Sequence, residues 1–509
     1  MRKFFKTVAI VTVFSVSEKF LGFLYRVYLS RTIGSEGIGL YQVALSVFGL
    51  LYTISCSGTP VTVSRLITKY KAEKRSDRVA RVITAGISVT LLFALPIAVI
   101  FYFFAQNFGV LFTDLRCIPI FKMLIPGLIF TSIYSVLRGV FWGTKDFLPY
   151  SIIELLEELC MIICGIVLIT YANGVYHGAF SAGIAVLVSY VFSFSLATIV
   201  FFVKKNKLVN PLSEIKPILY SSVPITAMRT AHSFSSSLVS IILPMRLVLA
   251  GYTNAQAMAS FGSAMGQAMP LLYTPTSLIN AFILVLVPEI SENFYKKNYR
   301  LLKLDIERAL KFTIFLTCFF IPVFWVCGGE IGIIIFGGHA CGDYLSLSSF
   351  LMLFMSMSTI TTSMLNSMGM ENKTLIYFII SGVFMLLSVY FLPKYMGIYA
   401  LITGYFFIYG LTTVLNLRLL KKHCKYSPNY KKFLLLSIAF VFPTALLGYL
   451  LKTLIINHMG IFLTAVICSI VMVAFLMLLF WGFGMIDLDM IKCKLNIKKP
   501  EKKTSFQAK

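Results

Sequence analysis

Long apolar runs, separated by shorter polar segments, recur along the whole chain. Each run holds about 20 residues, the length that a helix needs to cross a hydrocarbon layer of ~30 Å. Because lipid offers the backbone no hydrogen-bond partners, such runs predict membrane-spanning helices and an all-α polytopic membrane protein. Fourteen spans are predicted, at residues 7–29, 38–58, 82–106, 119–141, 148–171, 178–203, 218–249, 259–287, 309–328, 345–368, 374–393, 397–419, 432–452 and 460–484.

The predicted spans repeat weakly along the chain, at a separation of about 220 residues. The segment LSRTIGSEGIGLYQ at the first span is echoed by LVLAGYTNAQAMASFG at the seventh, and a long span and a basic amphipathic stretch follow each. Each unit has six spans, an even number, so the two units enter the membrane in the same direction, as parallel transporter repeats do. The predicted division is an N-lobe of residues 1–216, a C-lobe of 217–430, two further spans in 431–485 and a basic tail of 486–509.

Composition supports a membrane protein and excludes a soluble one. Hydrophobic residues occupy 58% of the 509 positions, charged residues occupy 13%, and the mean hydropathy is +0.86. A soluble chain of this length needs a polar surface that such a composition does not supply. The start MRKFFKTVAIVTVF has the basic flank and apolar run of a signal peptide without a small-residue cleavage site, so we interpret it as a retained first helix.

The formal net charge of +25 is unevenly divided between the two sides of the predicted topology. The termini and the loops joining even to odd spans hold 36 Lys and Arg residues, whereas the other loops hold five. Since basic residues favour the cytoplasmic side, this split predicts that both termini are cytoplasmic. It also explains the charge without a nucleic-acid partner, and the basic tail is expected near anionic lipid.

Charged residues interrupt the first predicted span. Ser15, Lys19, Gly22 and Arg26 are spaced at i, i+4, i+7 and i+11, which places them on one helix face, with Glu18 at its border. Charges at bilayer depth are expensive and are by default functional. Gly22 leaves a gap beside two cations, so the stripe is expected to admit an anion; the alternative is an ion pair of Glu18 that serves packing only.

The seventh predicted span carries a second polar stripe. Arg229, His232, Ser233, Ser236 and Ser240 follow at i, i+3, i+4, i+7 and i+11. Serines alone would be ordinary interhelical contacts. Arg229, however, is expected ~18 Å deep at 1.5 Å per residue, too deep to reach the headgroups easily, which favours a binding site.

The fifth predicted span carries three acids. Glu154 is explained as a first-turn residue that complements the helix dipole. For Glu157 and Glu158, pairing with cavity arginines, binding of a proton or Na⁺, and a purely structural pairing stay open. Arg138 and Arg246 are expected to reach phosphate headgroups at the ends of their spans.

The sequence does not predict an enzyme, a metal site or a cofactor. Of the five histidines, only His232 lies deep in a span, and no Cys/His cluster appears. The predicted outer loops are short, and Glu330, His339 and Asp343 are their nearest approach to a set of acid and base groups.

Three segments resemble a known family. FLGFLYRVYLSRTIGSEGIGLYQ, SCSGTPVTVSRLITKYKAEKR and GQAMPLLYTPTSLINAFILVLVPEISE, together with the fourteen-span plan, are similar to the polysaccharide-exporter branch of the MOP flippase superfamily. The closer resemblance is to the stage V sporulation protein B family. Related MurJ-type flippases use first-span cations in a motif S-R-x-L-G-F; here the motif reads SEKFLGF, so Lys19 matches, whereas Arg26 is offset by one residue.

The resemblance implies a V-shaped helical fold whose lobes alternate access to a central cavity. It implies export, across a bacterial plasma membrane, of an undecaprenyl-pyrophosphate-linked glycan such as lipid II, with coupling to H⁺, Na⁺ or the membrane potential. The expected partners are this lipid-linked oligosaccharide and membrane lipids; a monomer that associates with cell-wall synthesis proteins is expected.

The residues support the same hypothesis, because Arg and Lys in a low-dielectric cavity suit a pyrophosphate. The predicted substrate-binding residues are Lys19, Arg26, Arg229, His232 and Ser236. Three carboxylates are expected to balance these cations or to couple transport to an ion: Glu18, Glu157 and Glu158. The alternatives are a cation-coupled multidrug exporter of the same superfamily, a membrane enzyme of glycan assembly and a structural protein of the spore envelope.

Overall fold

The computed structural model describes residues 2–204, 207–423, 430–455 and 460–485, and every regular element in these ranges is helical. The predicted basic tail, 486–509, lies outside the described residues. We call residues 2–204 the first half and 207–423 the second half. The first half contains α1 (Arg2–Cys56), α2 (Thr59–Ala72), α3 (Ser76–Phe103), a short 3-10 helix (Asn107–Leu111), α4 (Cys117–Gly143), α5 (Phe147–Thr170) and α6 (Val175–Val203).

The second half contains more interrupted helices. It comprises α7 (Leu212–Leu249), α8 (Asn254–Phe261), a π-helical segment (Gly262–Ala268), α9 (Met269–Leu272), α10 (Thr274–Tyr295), α11 (Tyr299–Phe336), α12 (His339–Ser348), α13 (Leu351–Ser367), α14 (Glu371–Phe391), α15 (Pro393–Met396), a 3-10 turn (Gly397–Tyr399), α16 (Ala400–Tyr405), a π-helical segment (Phe406–Leu411) and α17 (Thr412–His423). Two long helices follow, α18 (Lys431–Ile455) and α19 (Ile461–Gly482).

The helices have the length and apolarity of membrane spans. In the described ranges, ten helices qualify, or up to twelve if each of two bent pairs forms one span. The predicted all-helical polytopic fold is therefore confirmed, while the count of fourteen stays a prediction. One of the ten, Val13–Ala72, comprises most of α1 and all of α2. Its 60 residues are more than a single crossing requires.

Helix α1 folds back on itself at Gly34. This glycine has φ of 69° and ψ of 179°, a conformation that side chains with a Cβ rarely adopt. It divides α1 into a first arm, residues 2–33, and a second arm, residues 35–56, where the sequence predicts two spans. The end of the molecule at which the arms meet is called the Gly34 end below.

Glycines allow the two halves to pack closely against each other at the Gly34 end. A Cβ on Gly39 would clash with the carbonyl oxygen of Met258, and one on Gly262 with that of Ser35. The second arm of α1 can approach α8 and the π-helical segment this closely only because these positions lack side chains. The halves are thus closed against each other at this end.

Polar contacts complete this closure. Ser30 donates through Oγ to the carbonyl oxygen of Phe336 at 3.1 Å, and Gln267 donates through Nε2 to Ser30 Oγ at 2.7 Å. Arg31 donates to the carbonyl oxygens of Ile334 and Ile335. These carbonyls belong to the last turn of α11, where backbone acceptors have no helical partner and where a cation is favourable.

Candidate functional site

Arg26 of the first arm lines a cavity of about 210 Å³ between the arms of α1, α5 and the π-helical segment. Tyr41 and Gln42 of the second arm and Glu158 of α5 line it as well. A Cβ on Gly22 would lie 2.8 Å from Glu158 Oε1. The gap that the sequence predicts at Gly22 therefore receives the carboxylate of Glu158, and the anion beside the stripe belongs to the protein itself.

The ion pair of Glu18, the alternative that the sequence leaves open, is not among the salt bridges of the described residues. Glu18 and Lys19 are not joined by a salt bridge, and the salt bridges among the described residues include neither Lys19 nor Arg26. Both cations are exposed. Three of its exposed apolar residues, Val13, Phe20 and Leu24, lie on a different side of the arm, and a fourth, Val16, borders the face of Lys19. This separation favours a polar cavity over lipid as the surroundings of the two cations.

Arg138 lies in a polar cluster inside the first half, and the prediction that it reaches a headgroup is wrong. Its Nη1 atom is 3.4 Å from Glu154 Oε1, and its Nη2 atom donates to Tyr52 OH at 3.5 Å. Its guanidinium carbon lies 5.3 Å from the centre of the Trp142 ring. Because α1, α4 and α5 each supply one partner, this cluster is not visible from residue spacing within a single span.

The other two acids of α5 have separate surroundings. Glu157 lies near Ser193 of α6, whose hydroxyl donates to the carbonyl oxygen of Tyr190 at 3.3 Å, whereas Glu158 faces Arg26 and Gly22. Glu154, which the sequence assigns only to the helix dipole, is the one that forms a salt bridge with an arginine. The three acids are thus distributed along the inner face of α5 and do not form one cluster.

Arg229 contacts the break between the second arm of α1 and α2. Its Nη1 atom donates to the carbonyl oxygen of Ser57 at 2.8 Å. The next amide, of Gly58, donates to Thr226 Oγ1 at 3.0 Å, and Thr53 and Ser233 share a hydroxyl hydrogen bond of 3.0 Å. Residues of the polar stripe predicted on α7 thus hold that helix against α1. The contact of Ser233 is the ordinary interhelical contact that serines provide.

His232 and Ser236 follow Arg229 at i+3 and i+7 and so lie on the same face of α7. Both are exposed, and the His232 ring stacks on Phe378 of α14, with 4.6 Å between the ring centres and 8° between the planes. Ser236 donates through Oγ to the carbonyl oxygen of Ser233 at 2.9 Å. His232 therefore packs against α14 of the second half, whereas Ser236 bonds to its own helix.

The three predicted cations do not converge on one point. Arg26 shares its cavity with Tyr41, whereas Arg229 contacts Ser57, 16 residues further along, which corresponds to about 24 Å along the helix axis. Lys19 precedes Arg26 by seven residues and is thus about 10 Å further from the Gly34 end. We call Arg26, Lys19 and Arg229 the cation series. Its members are spaced along the axis of the molecule and do not surround one diphosphate in this conformation.

Two further predicted surface residues have definite partners. Glu330, one of the acids expected in the outer loops, lies 2.7 Å from the Nζ atom of Lys452, which also donates to the carbonyl oxygen of Val326. This pair joins α18 to α11. Arg246, expected at a headgroup, donates to the carbonyl oxygen of Tyr390 at 2.7 Å and lies 4.2 Å from the centre of its ring.

The protein family described as "Polysaccharide biosynthesis protein" matches residues 4–294, more than half of the chain. The match includes both arms of α1 and all of α7. This chain belongs to that family. All three members of the cation series therefore lie inside the matched region.

Curated relatives from Bacillus subtilis (strain 168) resemble this family member at low identity. It is 24% identical over 358 residues to Stage V sporulation protein B, a match that covers 68% of this chain and 69% of the relative. It is 22% identical over 483 residues to Lipid II flippase MurJ, with 87% of each chain covered. The resemblance to the stage V sporulation protein B family is thereby confirmed.

Solved structures show the same fold. The inward closed conformation of lipid II flippase MurJ matches with a TM-score of 0.71 and 16% identity, over 95% of this chain and all of the other. An inward-facing multidrug resistance MATE family transporter of the MOP superfamily matches with a TM-score of 0.67 and 16% identity, over 80% of this chain and 95% of the other. The chain therefore has the fold of these transporters, and its many apolar helices make it a multi-pass membrane protein, as the sequence predicts.

Proposed function

We propose that this transporter moves an undecaprenyl-pyrophosphate-linked glycan, lipid II or a related cell-wall precursor, from the inner to the outer leaflet. The observation that carries the proposal is the cation series: three exposed cations without a salt bridge among the described residues, on α1 and α7, which contact each other across the two halves. A cation in lipid costs about 2.5–3.5 kcal/mol on insertion scales, so exposed cations at this depth are explained by an anionic ligand in a polar cavity.

The spacing of the series suits a moving diphosphate better than a fixed one. Arg229 and Arg26 offer planar donors that fit phosphate oxygens, and Lys19 between them offers a compact charge. Along the helix axis, Lys19 lies about 10 Å from Arg26, and Arg229 lies about 24 Å from Arg26. A diphosphate that moves along this axis can leave one cation as it approaches the next. Weak, repeated binding of this kind lets an anion enter and also leave.

The test of this proposal is exposure of lipid-linked precursor at the outer leaflet. A bacterium depleted of its lipid II flippases would express this chain, and precursor accessible from outside would be measured against membrane protein level. We expect export to be restored above the empty-vector strain. Normal membrane insertion of the chain without any restored export would contradict lipid II as the substrate.

The carboxylates of α5 are proposed to couple transport to an ion. Glu158→Gln would remove the charge that faces Arg26, and Glu157→Gln the charge that faces Ser193. We expect turnover to fall at least tenfold while substrate binding stays within about threefold, because binding uses the cations and coupling uses the acids. Steady-state export and substrate binding would be measured on the same purified variants.

Glu154→Gln is the matched control on the same helix. It breaks the contact with Arg138 and leaves a half-buried arginine without its carboxylate, so we expect lower protein abundance with near-normal turnover per molecule. If Glu157→Gln and Glu158→Gln behave in the same way as Glu154→Gln, all three acids are structural and the coupling proposal fails.

Both termini are proposed to be cytoplasmic, on the basis of the basic-residue split. Single cysteines at Tyr176 and Asn254 should be modified by an impermeant thiol reagent from outside, whereas those at Lys74 and Lys297 should be protected. A cysteine at Lys421 should be protected as well, and His458, predicted outside, lies beyond the described residues. Labelling of a cysteine at Lys74 in intact cells would contradict this orientation and would place both termini outside.

A further inference from the structure

A second basic site lies away from the cation series, where α2 ends and α3 begins. A cavity of about 400 Å³ opens there between the α2–α3 turn and the segment that joins α6 to α7. Lys71, Lys74 and Lys207 line it, and all three are exposed. Two of these lysines belong to the turn region and the third to the connection between the halves.

The charge of these three lysines is not balanced by neighbouring acids. None of them is part of the salt bridges formed by the described residues. The acids of this region already have other basic partners. These pairs are Glu73 with Arg75, Asp77 with Arg81, Asp146 with Lys204, and Glu214 with Arg78. The cavity therefore carries a net positive charge that an anionic ligand can neutralise.

Lys207 is held at the cavity by its own segment. The amide of Val209 donates to Thr84 Oγ1 of α3 at 3.0 Å, which fixes the connection against that helix. Asn210 Oδ1 accepts the amide of Leu212 at 3.1 Å and so starts α7 at a definite place. The third lysine is thus positioned by the fold and is not merely a charge on a free loop.

Apart from Ser76, the remaining wall of the cavity is apolar. Val79, Ala80 and Ile83, which line it, belong to α3 (Ser76–Phe103), one of the helices with the length and apolarity of a membrane span. Lysines above aliphatic side chains, at the foot of a membrane span, match a molecule with a charged head and an apolar body. A soluble phosphate would use the lysines and leave the apolar wall without a partner.

We propose that this cavity binds the headgroup phosphate of an anionic phospholipid, held by Lys71, Lys74 and Lys207 against the apolar wall of α3. Such a lipid connects the α2–α3 turn to the segment between α6 and α7, which is the only covalent connection between the two halves. A bound lipid therefore acts together with the Val209–Thr84 hydrogen bond to hold this connection against α3. The site is separate from the proposed glycan pathway.

The test is lipid binding to the purified full-length protein. Binding of phosphatidylglycerol and of phosphatidylcholine would be measured by native mass spectrometry, for the wild type and for the triple variant Lys71→Gln, Lys74→Gln, Lys207→Gln. Each lysine near an anionic surface contributes roughly fivefold in affinity, so the triple variant should bind phosphatidylglycerol on the order of 100-fold more weakly. Phosphatidylcholine binding should not change.

A matched control removes the same charge elsewhere. The variant Lys421→Gln, Lys422→Gln, Lys432→Gln changes three exposed lysines of α17 and α18 and should bind phosphatidylglycerol within threefold of wild type. Equal weakening in both triple variants would overturn the proposal, because it would reveal a general effect of net charge. Wild-type affinity in the first variant would overturn it as well.

A competition arm separates the lipid from its soluble counterparts. Glycerol 3-phosphate and inorganic phosphate carry the same anionic group without acyl chains. We expect neither to displace phosphatidylglycerol when added at a hundredfold excess. Displacement at equal concentration would assign the cavity to a soluble phosphate compound and contradict the lipid. None of these measurements depends on glycan export, so their failure and a failure of the proposed function are distinguishable.

Discussion

Replacing Arg229 by Ala should reduce precursor export by one to two orders of magnitude with little loss of folded protein. A hydrogen bond to a charged group contributes ~1.5–3 kcal/mol, which corresponds to roughly 10- to 150-fold in rate or affinity. The loss of packing is small because the side chain is exposed and its one hydrogen bond in the described residues is to the Ser57 carbonyl. Export would be measured per amount of membrane protein.

Two further variants separate the charge of Arg229 from its contact with Ser57. Arg229→Gln keeps a donor for the carbonyl but removes the charge, whereas Arg229→Lys keeps the charge but removes the planar fork. If the anion is recognised, Lys should retain partial export and Gln almost none. If the residue only holds the break at Ser57 and Gly58, Gln should function as well as Lys, and the proposed role in substrate binding fails.

The first-arm cations should give graded effects. Lys19→Ala is expected to be nearly as harmful as Arg229→Ala, since Lys19 is the middle member of the series. Arg26→Ala also leaves Glu158 without the cation that shares its cavity, so any loss of folded protein in this variant should be rescued by Glu158→Gln, while turnover should stay low. Full export by both Lys19→Ala and Arg229→Ala would contradict the diphosphate pathway.

The helical fold could be predicted from sequence because one physical rule dominates it. Lipid forces each span to satisfy its own backbone hydrogen bonds, so hydropathy alone locates the helices. The turn of α1 at Gly34 also lies between two spans that hydropathy predicts, 7–29 and 38–58. The depth of each helix is less visible: α7 runs over 38 residues, more than a crossing requires, so the depth predicted for Arg229 did not place it opposite Ser57.

The partners of the charged residues could not be predicted, because they lie on different helices. Spacing within a span puts Lys19, Gly22 and Arg26 on one face, and the structure retains that face. It does not reveal that Glu158 fills the space at Gly22 or that Tyr52 and Glu154 surround Arg138. Such pairs depend on the rotation and depth of neighbouring helices, which packing decides and hydropathy does not.

Locking the Gly34 end should abolish export reversibly. Transport by alternating access requires each end of the protein to open in turn, and at this end the halves meet through glycines and through the Ser30–Gln267 hydrogen bond. We expect a short bifunctional thiol reagent to join the variant Ser30→Cys, Gln267→Cys and to reduce export to background. Reductant should restore it if the linker is cleavable. Export would be measured before and after each treatment.

The control is a cross-link inside the first half. Tyr28 donates to the Ile166 carbonyl, so Tyr28→Cys, Ile166→Cys joins α1 to α5 without bridging the halves, and we expect export to continue. Wild-type protein treated with the same reagent accounts for the native cysteines, such as the buried Cys117. Because glycines allow the halves to meet without a gap, a glycan cannot pass this end while it is closed. Undiminished export by the cross-linked Ser30–Gln267 pair would therefore mean that the substrate does not travel between the halves at all.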